Sequence, residues 1–242
     1  MERDRRPRSL LADSLRAHAL LFETPPTPGY ADAAGMRIVV AFLAVAAGLF
    51  FALRLALDAA GMRGLPAANF LFVVALLAAF VLAQRACIRL PFADVGLRRM
   101  TEWSRRERLY VFQVVPLAIA VFSIVFHEHL LRLLERHGTA GFLLFSLLTG
   151  VLWGMAQEFL YRGWLQTELT RRFGAAAGVL AANAVFAFGP LHFDYFLGPG
   201  GVRWGGLAAV FAIGLFFGIV YRRSGNLWIP AVLHGLWPPN MT

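Results

Sequence analysis

From position 38 onward the chain alternates long apolar blocks with short polar stretches. The apolar blocks fall at about 38–57, 65–84, 109–126, 140–161, 174–193, 206–221 and 227–238. All but the last run for about 16 to 24 residues, the length with which an α-helix rising 1.5 Å per residue crosses roughly 30 Å of hydrocarbon. The pattern predicts an all-α fold, a polytopic transmembrane helix bundle of about seven spans. The count falls to about six if the last block, which runs into Pro238 and Pro239, does not cross.

Residues 1–36 stand apart from this pattern and read as an N-terminal cytoplasmic tail. Leu11, Leu15, His18 and Phe22 share one helical face, and Pro25, Pro26 and Pro28 close the segment, which is the pattern of an interfacial helix and linker. The first apolar block lies behind Arg3, Arg5, Arg6, Arg8 and Arg16, so it does not read as a cleavable secretory signal. Residues 37–242 hold no repeat and no soluble stretch long enough for a second domain, and are read as one membrane bundle.

Composition agrees with a bilayer as solvent: 59% of the 242 residues are apolar, 15% are charged and mean hydropathy is +0.62. The formal charge of +9 points to nucleic acid only until the basic residues are placed. All 23 are Arg, and with the N-terminus inside, 18 fall on the inner side, Arg54 lies within the first block, and only Arg63, Arg132, Arg136 and Arg203 fall on the outer. That asymmetry is the positive-inside pattern, so no nucleic-acid partner is needed to explain the charge. The Arg-only, Ala-rich composition suggests a GC-rich bacterial genome, hence a bacterial inner membrane. The single cysteine, Cys87, excludes an internal disulfide and a Cys-based metal cluster and reads as a packing residue. The basic loop 85–108, with Trp103, reads as an interfacial segment against lipid headgroups. Gly174, Gly178 and Ala182, and again Gly214 and Gly218, form small-residue faces that let helices approach closely.

Of 14 carboxylates, Glu158 alone lies well inside an apolar block. A charge at that depth costs about 2.5–3.5 kcal/mol on insertion scales, which makes it a functional-site candidate. Arg162 follows four residues later on the same helical face, so a self-neutralising structural pair is the plain reading of Glu158 taken alone. His192 and His234 change the balance. With a turn near Phe173, Glu158 and His192 lie roughly 22 Å and 28 Å from it along adjacent antiparallel helices, level to about one helical turn. His234 fits less well, at roughly 15 Å beyond a turn near Ser224. Such a set serves two chemistries: a desolvated carboxylate takes a proton from water while imidazoles orient it, or one carboxylate and two imidazoles ligate a catalytic zinc. No HExxH spacing is present, and His127-Glu128-His129 reads as interfacial because residues two apart project from different sides of a helix.

These residues resemble the motifs of the CPBP family, the CAAX-type and bacteriocin-processing intramembrane proteases. The family's Glu-Glu-x-x-x-Arg, usually followed by Gly, is matched by Gln157-Glu158-Phe159-Leu160-Tyr161-Arg162-Gly163. Its Phe-x-x-x-His is matched by Phe188-Gly189-Pro190-Leu191-His192, and its His-x-x-x-Asn only at His234. The resemblance covers a core of about 140–240. It implies an intramembrane glutamic endopeptidase acting on a membrane-associated protein or peptide, near a C-terminal signal or helix, without metal or other cofactor. It also implies that position 157 holds the catalytic base, that Glu158, Arg162 and Phe188 support it, and that His192 and His234 serve the site and its oxyanion.

Position 157 is Gln, whose amide has nearly the shape of a carboxylate but accepts no proton at neutral pH. Three accounts follow: an engineered inactivating change, a natural non-proteolytic homologue, or Glu158 in the role of base. Pro238 stands where the third motif has Asn, with Asn240 the nearest substitute. The opposing class to a protease is therefore a membrane binding or chaperone-like protein on the same scaffold. A small transporter fits less well, because its polar residues would spread along several helices.

Overall fold

The computed structural model describes residues 29–62, 65–195 and 201–236. The expected tail helix over residues 9–22, together with Arg63, Pro238 and Asn240, lies outside them. Among the described residues the regular elements are all helical. We number them α1 (Asp32–Ala59), α2 (Pro66–Ile88), α3 (Arg105–Val125), α4 (His127–Gly141), α5 (Thr149–Phe173), α6 (Ala175–Phe188), α7 (Trp204–Ser224) and α8 (Trp228–Gly235).

Four of these, α1, α2, α3 and α7, are long and apolar enough to cross a membrane. A fifth span is reached if Leu130–Leu144 and Thr149–Phe173, bent by 57°, count as one. Among the described residues the expected seven is thus not confirmed: α6 has only 14 residues and α8 only 8, short of the roughly 20 that a full crossing requires. Their length is set by backbone breaks, which an apolar run does not reveal. α6 begins at Gly174, whose φ of 83° lies in the left-handed region, and ends before Pro190.

The exterior is apolar where lipid would lie. α3 is the extreme case, with Phe112 77%, Ile124 74% and Leu117 63% exposed. Burial in the bundle does not explain such residues, whereas hydrocarbon does. At the other extreme, every residue from Ala156 to Glu168 is buried, so this part of α5 runs through the middle of the molecule. Within it, Phe159–Gln166 winds as a π-helix, which turns Arg162, Trp164 and Gln166 to partners on several sides. The Trp164 indole N–H donates to Gln84 Oε1 of α2 at 2.8 Å, and the Gln166 amide donates to the Gly218 carbonyl of α7 at 2.8 Å.

One end of the bundle gathers the basic segments. Arg37 at the start of α1 donates to the Ile88 carbonyl at the end of α2, and Arg171 at the end of α5 pairs with Asp32 at 2.7 Å. Glu168 is fully buried there, held by Arg171, Arg172 and the Tyr30 hydroxyl. A Cβ on Gly35 would lie 2.2 Å from the Glu168 carboxylate, so a side chain there would have to displace it from its partners. Burial, and then the Glu168 carboxylate, push the Tyr30 hydroxyl far above its ordinary pKa range, so it stays a donor. Nearby, Glu107 caps α3 through the Ser104 backbone N–H and accepts from Arg98 and Asn226. Glu107 and Glu168 are therefore buried carboxylates although neither lies well inside an apolar block of the sequence. Glu107 is capped by the Ser104 backbone and paired with Arg98, and Glu168 is paired with arginines at i+3 and i+4.

Candidate functional site

Glu158, Arg162 and His234 form one contiguous cluster. Glu158 and Arg162 are each fully buried, and Arg162 Nε donates to Glu158 Oε2 at 3.3 Å. The other carboxylate oxygen, Oε1, accepts from His234 Nδ1 at 2.7 Å. The guanidinium is fixed further by donating to the Gly214 carbonyl at 2.8 Å and to Asn183 Oδ1 at 3.5 Å, and it lies 5.0 Å over the Phe186 ring. Asn183 in turn donates to the Phe211 carbonyl, so α6 and α7 together orient the arginine that neutralises Glu158.

The poor fit of His234 expected from equal turn heights is corrected by where α8 starts. The Leu227 N–H donates to the Gly96 carbonyl at 2.9 Å, and a Cβ on Gly163 would lie 3.0 Å from the Val95 carbonyl and 3.6 Å from Leu227 Cδ2. The turn before α8 therefore docks at the level of Gly163, well short of Phe173. Seven residues forward from Leu227 and five back from Gly163 are roughly 10 Å and 8 Å along their helices, which brings His234 level with Glu158. Lateral approach comes from glycines. A Cβ on Gly154 would lie 2.5 Å from Gly235 N, and one on Gly235 would lie 2.4 Å from Val151 Cα. The two backbones touch, and the carboxylate and imidazole meet across that contact.

His192 sits in the 3-10 turn Pro190–Tyr195 after α6, and its Nδ1 donates to the Phe186 carbonyl at 2.8 Å. The Phe186 ring lies edge-on to both imidazoles, with centroids 4.7 Å from His192 and 5.9 Å from His234. Phe186 is the aromatic partner of the cluster. Phe188, expected there from the motif, is 51% exposed and packs on Phe211, because two residues along a helix turn a side chain to another face. Asn183 and Phe186 escaped sequence reasoning. Asn183 left a signal, an amide within an apolar helix, whereas one Phe among 22 left none.

Gln157 is 6% exposed and its side-chain oxygen has no protein partner. It borders a small apolar cleft lined also by Phe50, Phe80, Trp153, Tyr161 and Leu191. The site is thus a buried charged cluster with an amide beside an apolar cleft. Among the described residues, no three His, Cys, Asp or Glu side chains gather as a metal-binding set. His127 and Glu128 are exposed at the start of α4, where Glu128 pairs with Arg132. Gly178, Gly214 and Gly218 do lie on packed faces, where a Cβ would meet Thr170, Asn183 and Gln166, while Gly174 makes the turn instead.

The stretch that carries the three motifs matches a family model. Residues 139–238 match the family described as Type II CAAX prenyl endopeptidase Rce1-like, which bears out the resemblance over this part of the chain. A Bacillus subtilis (strain 168) protein named "Uncharacterized protein YpbD" is 33% identical over 84 residues, 35% of this chain and 36% of that protein. The chain thus spans little more than a third of that relative's length. No solved structure matches the chain.

Proposed function

We propose, on the premise that residues 139–238 are Rce1-like, that this membrane protein is an intramembrane endopeptidase scaffold whose substrate is a membrane-associated protein or peptide. The observation that carries the reading is the Glu158 carboxylate, fully buried and held between Arg162 on its own helix and His234 near the far end of the matched segment. Ionisable groups at such depth cost several kcal/mol unless paired, and this pair is assembled from four helices around one point. The apolar lining beside Gln157 is in keeping with an apolar, membrane-associated substrate segment, cut near a C-terminal signal or helix.

Gln157 withdraws the proton acceptor that the family resemblance assigns to this position. Glu158 does not replace it as base, since one oxygen is engaged by Arg162 and the other by His234. The basic ends of α2, α5 and α7 and the loop before α3 lie at the N-terminal end of α1, which favours a cytoplasmic N-terminus in a bacterial inner membrane. Substrates then approach from the outer half of the bilayer or laterally through lipid.

The test is to express the chain and its Gln157→Glu form with C-terminally tagged membrane proteins from the same genome and look for a shortened product. The Gln157→Glu form should cleave at least 100-fold faster, the scale of a well-placed general base. A well-folded Gln157→Glu form that cleaves none of them would leave a membrane binding or chaperone-like role as the better reading.

A further inference from the structure

We infer that in this chain His234 is the general base that activates water, with Glu158 as its positioning partner, a role reversal that rests on the peptide-hydrolase reading above. Because the Glu158 carboxylate can only accept, the 2.7 Å contact places a proton on His234 Nδ1 and leaves Nε2 with the basic lone pair. Glu158 also stabilises the imidazolium that forms when Nε2 takes a proton, which is what a carboxylate behind an imidazole contributes in hydrolases. Arg162 holds the far side of that carboxylate, itself braced by the Gly214 carbonyl and Asn183. The ring is walled by Phe217, stacked at 5.1 Å, and Phe186, so it has one orientation, and its side chain keeps 15% exposure.

His192, whose Nδ1 donates to the Phe186 carbonyl, is the competing candidate, and the direct contact with Glu158 is what singles out His234. Gln157 cannot serve, and Glu158 is the partner rather than the base. The step balances as ordinary hydrolysis. Water oxygen bonds to the scissile carbonyl carbon as its proton passes to His234 Nε2, and the carbonyl electron pair moves to oxygen. On collapse the C–N bond breaks, and the imidazolium returns the proton to the departing amine.

The experiment uses the full chain in liposomes and whichever tagged substrate the Gln157→Glu form cleaves best. The unmodified chain should cut the same bond slowly, and His234→Ala should lower that rate by at least 100-fold. Added imidazole should restore part of it, which a purely structural role for His234 would not allow. Glu158→Gln paired with Arg162→Met, which removes the charge without stranding its partner, should slow cleavage at least tenfold and move the His234 nitrogen NMR signals. No cleavage by the unmodified chain alongside cleavage by Gln157→Glu overturns this assignment and leaves the endopeptidase reading intact. So does a folded His234→Ala form that imidazole does not rescue, or a His234 ring that carries its proton on Nε2. Cleavage by neither form overturns the endopeptidase reading itself.

Discussion

At the scale of the residue, the candidate site is built around one carboxylate whose two oxygens have different partners, Arg162 on one and His234 on the other. Removing the arginine leaves Glu158 charged in a low-dielectric interior, which typically costs about 3–5 kcal/mol, whereas replacing both charges with neutral groups of similar shape costs far less. Arg162→Ala should therefore lower the thermal midpoint in detergent substantially, and Glu158→Gln with Arg162→Met should lower it much less. Equal midpoints for the unmodified and Arg162→Ala proteins would count against the pairing. Glu158 was legible in sequence because a lone carboxylate in an apolar block has no cheap explanation. Phe186 was not, since nothing in a phenylalanine's sequence position tells which of its neighbours it will face.

At the scale of the element, the decisive event is the crossing of α5 and α8 at Gly154 and Gly235. Any side chain at Gly154 would drive a carbon to 2.5 Å from the Gly235 nitrogen, so the helices would part and His234 would leave Glu158. Gly154→Leu should destabilise the protein and abolish whatever cleavage the Gln157→Glu form has gained. Gly205→Ala, on α7, meets nothing within 4 Å and lies at an ordinary helical φ. Such an exchange usually stabilises a helix by about 0.4–1 kcal/mol. Comparing the two thermal midpoints checks the assignment, and a harmless Gly154→Leu would sink it. Apolar run length made α1, α2, α3 and α7 legible. It overstated α6 and α8, whose ends are set by backbone conformation and by docking of the turn before α8.

At the scale of the whole molecule, the basic segments converge on one end of the bundle, the arrangement that positive-inside topology requires. The single cysteine offers a direct reading of it, since Cys87 is exposed and lies at that end, between Arg85 and Arg89. A membrane-impermeant maleimide should label Cys87 in inside-out vesicles and spare it in intact spheroplasts. Labelling from the outer side alone would invert the proposed orientation and place the basic end in the periplasm.

What the sequence determined by itself was the solvent, the class of fold and Glu158, Arg162 and His234 as residues that belong together. Hydrophobic length and the price of a buried charge are local properties, readable one residue or one helix at a time. Tertiary structure decided which oxygen meets which nitrogen. The height of the Leu227 turn against Gly163 and the glycine contact between α5 and α8 bring His234 to Glu158. The π-helical segment of α5 is where Arg162 turns toward α6 and α7. Those are relations between helices distant in the chain, and periodicity within one helix carries no information about the height or the closeness at which another will pack.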